Sequence, residues 1–207
     1  MEQLLIFPFN GNALEALDCI DGQYELLGFI DDTPEKQGMS KWGIPVFDRT
    51  ALQKYSDARV LAVPGSPASY KKRKEHIDSL EIDPARFITL VHPSANIGKF
   101  VTLGTNCLIM AGVVITSNAS IGDHVCILPN TVIHHDAVIH SYTLFGCNIA
   151  VAGGTVVERN CYIGSGTNII SGITIGEFSL IGLGSNVIRS VPPQSKVAGN
   201  PARELTK

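Results

Sequence analysis

Two adjacent histidines and an aspartate interrupt an otherwise apolar stretch at residues 133–138, which read IHHDAV. A neutral imidazole can take a proton from an attacking nucleophile, and a carboxylate beside it can fix which ring nitrogen carries the hydrogen. Histidines and carboxylates also bind zinc, and they are common on solvated surfaces. Which of these three roles applies depends on where the fold directs His135.

The residues around this group follow a repeat. From residue 97 to residue 187 every sixth residue is apolar, which by chance would occur in about two of a million sequences with 44% hydrophobic residues. An α-helix would show a period of about 3.6 residues and a lone strand a period of about 2. The sixteen positions are Ile97, Leu103, Ile109, Ile115, Ile121, Ile127, Ile133, Ile139, Phe145, Val151, Val157, Ile163, Ile169, Ile175, Ile181 and Val187.

A period of six predicts a solenoid of short strands, each with one large inward side chain and a turn. Three hexads complete a triangular coil, so positions three hexads apart stack on one another. At a strand spacing of about 4.8 Å, five coils give a prism about 24 Å tall. Glycine often follows the inward residue, where it permits the corner dihedral angles. We therefore predict a left-handed parallel β-helix of hexapeptide repeats over residues 91–207.

The first ninety residues follow a different pattern. Strand segments at 3–9, 24–32, 58–65 and 86–91 alternate with helical segments at 12–20, 49–55 and 66–80. This alternation predicts a small Rossmann-like parallel α/β domain over residues 1–90, with its ligand crevice beyond the carboxyl ends of the strands. The residues expected around that mouth are Asn10, Gly11, Asp31, Asp32 and Gly65.

The first loop of this domain reads FPFNGN and lacks a dinucleotide fingerprint, because Pro8 and Asn10 leave only Gly11. We therefore expect no NAD site. Asp31 and Asp32 could also simply close a turn. The basic run at residues 71–74 is expected on the solvated face of a helix rather than at a phosphate site.

Composition narrows the function classes. A net charge of −3 gives no electrostatic reason to expect nucleic acid as a partner. No apolar run approaches the roughly 18 residues of a membrane span, and the first residues lack the basic segment of a secretory signal. The five cysteines form no CxxC pair and are expected as buried thiols. We expect a cytoplasmic protein.

On the predicted coil, residues just after an inward position run towards a corner and face outwards, so His135 is not expected in the core. Asp136 is then the nearest acid that could orient it, whereas His134 points the opposite way on an extended strand. A zinc site with His140 would need a further ligand stacked one coil above or below, and no histidine stands there, so the general base is favoured. The stacked positions hold Lys99, Ser117 and Gly153 for His135, and Gly122 and Glu158 for His140.

Three features together resemble the bacterial sugar acetyltransferases of the PglD/NeuD type: the degenerate nucleotide-type domain, IHHD near the middle of the repeat, and the ending VPPQSKVAGNPAR. The resemblance implies a homotrimer with acetyl-CoA lying between neighbouring prisms and no metal. It implies His135 as the base with Asp136 as its acidic partner. It also places the backbone N–H of Gly153, with Gly154 next to it, at the thioester oxygen.

The same resemblance implies that the chain's ending contacts the cofactor. Lys196 and Arg203 would be available for its phosphates, and Gly199 lies in the same AGNPAR segment.

In the N-terminal crevice, the resemblance implies the nucleotide of a UDP- or dTDP-linked amino sugar, with Asp31 and Asp32 as the acidic pair and Gly65 in a later loop. Two positions depart from the family, since Asn12 and Leu144 stand where histidines are usual. The expected function is N-acetyl transfer to this sugar in bacterial glycan biosynthesis, by direct attack without an acyl-enzyme. O-acetylation of a sialic-acid-like sugar, a zinc hydratase like the carbonic anhydrases of this fold, and a scaffold without chemistry stay open.

Overall fold

The computed structural model describes residues 1–205, so the last two residues of the predicted second domain lie outside it. The N-terminal part contains five strands, which are β1 (Glu2–Phe7), β2 (Tyr24–Ile30), β3 (Gly38–Met39), β4 (Pro45–Phe47) and β5 (Arg59–Ala62). They form one sheet in the order β3-β4-β2-β1-β5, parallel throughout except for β3. The predicted small parallel α/β unit is confirmed.

The α-helices that flank this sheet are shorter than the sequence predicts. They are α1 (Gly11–Glu15), α2 (Ala51–Lys54) and α3 (Arg73–Asp78). The helix predicted over residues 66–80 begins late, because Pro67 lies in a turn closed by the N–H of Ser69 on the carbonyl of Ser66, and a 3₁₀ turn (Tyr70–Lys72) follows. None of the helices in residues 1–205 is long and apolar enough to cross a membrane.

The rest of the chain forms two-residue strands that recur every six residues, and the predicted left-handed β-helix is confirmed. The strands are β6 (Leu90–Val91), β7 (Asn96–Ile97), β8 (Thr102–Leu103), β9 (Leu108–Ile109), β10 (Val114–Ile115), β11 (Ser120–Ile121), β12 (Cys126–Ile127), β13 (Val132–Ile133), β14 (Val138–Ile139), β15 (Leu144–Phe145), β16 (Ala150–Val151), β17 (Val156–Val157), β18 (Tyr162–Ile163), β19 (Asn168–Ile169), β20 (Thr174–Ile175), β21 (Leu180–Ile181) and β22 (Asn186–Val187).

Strands three apart in sequence stack in parallel and build the three faces of a prism. The covered face contains β6, β9, β12, β15, β18 and β21; the second face contains β7, β10, β13, β16, β19 and β22; the third face contains β8, β11, β14, β17 and β20. Partners are one full coil apart in sequence, as Ile115 pairs with Ile97 and Ile133. The second residue of each strand points inward and fills the prism.

The final coil departs from this spacing. The strand β23 (Lys196–Gly199) places Lys196 opposite Leu180, and Val191 bridges Ile175, so each pair is separated by two positions fewer than a full coil. The coil is therefore shortened by two positions after Val187. A hairpin of β23 with β24 (Ala202–Glu204) ends the described chain.

Buried threonines line the inside of the corners. The hydroxyl of Thr131 donates to the carbonyl of Gly146, that of Thr143 to Glu158, and that of Thr155 to Ile170, at 3.0–3.1 Å. Each of these three hydroxyls therefore has a partner, which offsets the cost of taking a polar group out of water.

The α/β unit packs on the covered face. The outward residues Leu108, Cys126 and Leu144 of that face are buried beneath it. The amide of Asn106 joins the two parts directly, because it accepts from the N–H of Ala62 at 2.7 Å and donates to its carbonyl at 2.8 Å. The corner between the second and third faces therefore lies on the opposite side of the prism from the α/β unit.

One residue of the basic run contradicts the prediction. Lys71, Lys72 and Lys74 are exposed, but Arg73 is fully buried at the junction of the two parts. Its guanidinium donates to the carbonyls of Tyr142 at 3.1 Å, His124 at 2.6 Å and Pro64. Burial lowers the pKa of Arg73 to about 10, so it stays positive at neutral pH. The planar fork of arginine explains the exception, since it can satisfy several carbonyls at once.

Replacing an inward residue should destabilise the β-helix far more than replacing an outward one. We expect Ile133→Ala to lower the free energy of unfolding by about 2–5 kcal/mol, because Ile133 is fully buried and the cavity cannot close. The exposed Asn96 on the same face is the control, and Asn96→Ala should change stability by about 0.5 kcal/mol or less. Denaturant unfolding followed by circular dichroism measures both, and equal losses would contradict the inward assignment.

Candidate active site

His135 lies on the corner between the second and third faces, directly after β13. Its side chain is 64% exposed. Its backbone is fixed by the stacked coil above, since the N–H of Gly154 donates to the carbonyl of His135 at 3.0 Å. The imidazole thus stands in solvent on a rigid corner rather than in the core.

Two side chains orient this imidazole. Nδ1 of His135 lies 2.7 Å from Oδ2 of Asp136, and Oδ1 of Asp136 accepts from Nδ2 of Asn118 at 2.6 Å. The hydrogen bonds from Asn118 and His135 hold the pKa of the Asp136 carboxyl below its usual value. An ionised carboxylate only accepts, so the ring hydrogen belongs on Nδ1 and Nε2 keeps its lone pair.

Gly153 lies directly over this ring, as the stacking of successive coils requires. A Cβ added to Gly153 would lie 2.6 Å from Cε1 and 2.7 Å from Nε2 of His135, so only glycine leaves room for the imidazole. The N–H of Gly153 has no acceptor within residues 1–205, whereas the N–H of Gly154 is bound to His135. Of the two glycines, Gly153 is therefore the one with a free N–H donor.

The corner continues towards the C-terminal end as an exposed edge of the prism. Gly154 and Gly172 add no side chain to it, and a Cβ at either would meet nothing within 4 Å. Ile170 and Ile188 stack along it and are 48% and 47% exposed. Arg189 follows Ile188 in the final, shortened coil, three coils from that of His135 and about 14 Å away along the prism.

Four residues of this corner were not predicted from the sequence: Ile170, Gly172, Ile188 and Arg189. A signal was present, because Ile170 and Ile188 are apolar at positions that follow the inward residue and face solvent. Arg189 and Ile188 also line a cavity of about 190 Å³ together with Arg203.

The two other predicted cofactor residues lie elsewhere. Lys196 belongs to β23, whose partner β21 is on the covered face, so within one chain it is not brought to the His135 corner. Gly199 lies in the terminal hairpin, where its N–H donates to the hydroxyl of Ser185 at 3.2 Å.

The five predicted crevice residues follow β1, β2 and β5 at one edge of the sheet. Asn10 links two of these loops, since its Oδ1 accepts from the N–H of Ala13 and its Nδ2 donates to the carbonyl of Val63. Gly11 is exposed. Gly65 has φ +129° and lies against Leu144 on the covered face, where a Cβ would come within 2.7 Å of that side chain.

The two aspartates of the crevice both have protein partners. Asp31 is buried and accepts from the N–H of Thr33 at 3.0 Å and from Lys36 Nζ at 2.9 Å. Asp32 is more exposed and binds the guanidinium of Arg49 through both of its oxygens. Asp31 therefore closes a turn, which is one of the two roles the sequence left open for this pair.

Within one chain the crevice and His135 do not meet. The crevice sits over the covered face, and His135 is on the corner opposite that face. Among residues 1–205, no group of three or more histidines, cysteines or carboxylates could hold a metal ion.

No family model matches the sequence. The chain is 31% identical over 183 residues to "Putative acetyltransferase SAR2635" of Staphylococcus aureus strain MRSA252, which covers 84% of this chain and 90% of the relative. It is 29% identical over 114 residues to a similarly named acetyltransferase of Schizosaccharomyces pombe, a match that covers 55% of this chain and 53% of that relative.

Solved structures share the whole fold. A histidine-to-asparagine variant of perosamine N-acetyltransferase from Caulobacter crescentus, in complex with CoA and GDP-perosamine, superposes with a TM-score of 0.85 at 23% identity. That match covers 100% of this chain and 98% of the other. The acetyltransferase domain of PglB from Neisseria gonorrhoeae in complex with acetyl coenzyme A has a TM-score of 0.85 at 22% identity and covers 99% of both chains.

The hydrogen-bond chain through Asp136 predicts the state of the imidazole. We expect Asp136→Ala to release the ring hydrogen from Nδ1, so that the Nε2–H tautomer of His135 becomes populated. Nitrogen chemical shifts of the labelled ring measure this change. Asn118→Ala, which leaves the carboxylate in place, should change the tautomer less, and an unaltered ring in Asp136→Ala would contradict the assignment.

Proposed function

Because the chain belongs to the hexapeptide-repeat acetyltransferases, we propose that it transfers the acetyl group of acetyl-CoA to the amine of a nucleotide-linked amino sugar. The observation that carries the proposal is the pairing of a free Nε2 on His135 with the free N–H of Gly153 above it. The CoA and GDP-perosamine in one similar structure, and the acetyl coenzyme A in another, support the two substrate classes.

The reaction proceeds by direct attack. The amine nitrogen bonds to the thioester carbonyl carbon while Nε2 of His135 takes its proton, and the N–H of Gly153 stabilises the oxyanion that forms. The C–S bond then breaks, and the departing thiolate of CoA takes the proton back from Nε2. Asp136 stays ionised and stabilises the transient imidazolium.

A covalent acyl-enzyme is not needed, and the cysteines are poorly suited to form one. Burial raises the pKa of Cys161 and that of Cys126 to about 12, so neither supplies a thiolate at neutral pH. Burial also raises the pKa of Cys147, the half-buried thiol.

Acetyl-CoA would lie along this corner, between it and the neighbouring copy. The exposed Ile170 and Ile188 suit the partly apolar pantetheine arm. Arg189 and Arg203, at the far end, would face the phosphates.

The sugar must reach His135 from a second copy of the chain, since the crevice and this corner lie on opposite sides of one protomer. We therefore include a homotrimer with its active sites between subunits in the proposal. The half-buried Val114, Val132 and Ala150 form an apolar stripe on the second face that such an assembly would cover. The nucleotide would be UDP or dTDP in a cytoplasmic pathway of glycan biosynthesis, and the GDP sugar of the similar structure adds a third base to test.

Replacing His135 should abolish transfer without preventing cofactor binding. We expect His135→Ala to lower kcat/KM by about 10²–10⁴-fold, because the proton of the amine then lacks an acceptor. Free thiol release from acetyl-CoA measures turnover against a panel of UDP-, dTDP- and GDP-linked 4-amino-6-deoxysugars, with free sialic acid to detect O-acetylation.

The neighbouring His134→Ala is the matched control and should keep most of the activity. A His135→Ala enzyme that still turns over an amino sugar would remove the histidine from the mechanism. If the wild type binds acetyl-CoA but releases no thiol with any sugar of the panel, the acceptor belongs to another class of compound.

The contact between Gly153 and the ring gives a second test. We expect Gly153→Ala to lower kcat by about 10²-fold or more, because the new methyl group displaces the imidazole from beneath it. Gly154→Ala is the control, since its Cβ meets nothing and only its positive φ is strained, which costs about 1 kcal/mol of stability. Steady-state kinetics separates the two, and equal activity of both variants would contradict the geometry.

A further inference from the structure

The crevice lacks the usual means of binding phosphate. Its first loop contains only Gly11, and α1 has five residues. One N–H of this short helix terminus is already used, because the side chain of Asn10 accepts from the N–H of Ala13. A diphosphate bound here would therefore need a cationic side chain.

Three cations contact the crevice loops, and one is placed for this role. Arg73 is buried, and its guanidinium already donates to the carbonyls of Pro64, Tyr142 and His124. The guanidinium of Arg49 already has protein partners at the rim of the crevice. It donates to both carboxylate oxygens of Asp32 and to the hydroxyl and carbonyl of Ser79. Lys36 instead contacts the first loop itself, donating from Nζ to the carbonyl of Phe9 at 3.0 Å.

Lys36 is held in position by a buried acid. Its Nζ lies 2.9 Å from Oδ2 of Asp31, whose side chain is 5% exposed while that of Lys36 is 45% exposed. Burial acts to raise the pKa of Asp31, but the hydrogen bonds from Lys36 and Thr33 outweigh it and hold the pKa below its usual value. An ammonium group has three hydrogens, so one remains after Asp31 and Phe9 are served.

A ligand can reach this side chain, since Lys36 is 45% exposed. The first loop beside it is also open at Gly11, where an added Cβ would meet nothing within 4 Å. A cation that is fixed by its neighbours before the ligand arrives loses little entropy on binding.

We propose that Lys36 binds the diphosphate of the nucleotide sugar and so replaces the missing glycine-rich loop. The inference rests on the proposed function, since it takes a nucleotide-linked sugar as the ligand. It assigns the phosphate contact to a residue outside the acidic pair and leaves Asp31 the role of holding Lys36 in place.

The test compares how tightly each protein binds a nucleoside and its diphosphate. Calorimetry on the full chain uses uridine, thymidine and guanosine with their 5′-diphosphates, and does not depend on acetyl transfer. Because Lys36→Met alone would leave a buried carboxylate unpaired, the comparison is between Asp31→Asn and the double variant Asp31→Asn/Lys36→Met. Lys41→Met is the control, as its Nζ lies over the ring of Trp42 with no carboxylate partner.

We expect the double variant to lose about 10–100-fold in affinity for the diphosphate relative to Asp31→Asn, with nucleoside affinity unchanged. Lys41→Met should bind both as the wild type does. Equal weakening of nucleoside and diphosphate would mean that Lys36 only clamps the loops, and would overturn the inference while leaving the proposed function intact. If the wild type binds none of the nucleotides yet acetylates another amine, the inference and the nucleotide-sugar acceptor both fail.

Discussion

Parallel pairing of residues one coil apart is the constraint on which the site depends. Each coil repeats the one below, so a residue at a corner always lies next to the residue 18 positions away in the neighbouring coil. Asn118 reaches Asp136, and Gly153 covers His135, because of this register alone. The apolar column inside the prism fixes the register, since a slip of one residue would turn every inward side chain outwards. The geometry around His135 is thus a consequence of core packing.

Many corners of the prism require a residue with positive φ, a backbone conformation that is unfavourable for most residue types. Asparagine, aspartate and glycine tolerate positive φ, and Asp136 is one such case. His124 and Tyr142 are exceptions at the corner beside α3, where their rings stack at 4.7 Å. Burial lowers the pKa of His124 to about 4, so it is neutral at physiological pH. Their carbonyls bind Arg73, which makes these strained corners part of the joint between the two halves of the molecule.

The repeat made the β-helix, the outward His135 and the overlying Gly153 predictable, because each follows from one period and simple arithmetic. The same arithmetic points to Asn118, which stands one full coil before Asp136. Interactions between the α/β unit and the prism were not predictable in this way. Burial of Arg73 and the partnership of Lys36 with Asp31 depend on loops that no period describes. The position of Lys196 could not be read from the repeat either, because the final coil is shortened by two positions after Val187.

The structure gives the positions of the two residues that depart from the PglD/NeuD pattern. Leu144 lies on the covered face and packs against Gly65 of the crevice, while Asn12 lies in α1, which follows the first crevice loop. Both are therefore on the side of the molecule that would hold the sugar nucleotide, and neither is on the corner that carries His135. The register of the coils fixes the positions of the residues at the His135 corner. The crevice, in contrast, is built from loops that can vary without disturbing the prism. Such a division would allow the acceptor to differ from that of the family while the proposed base, its carboxylate and the proposed oxyanion donor remain unchanged.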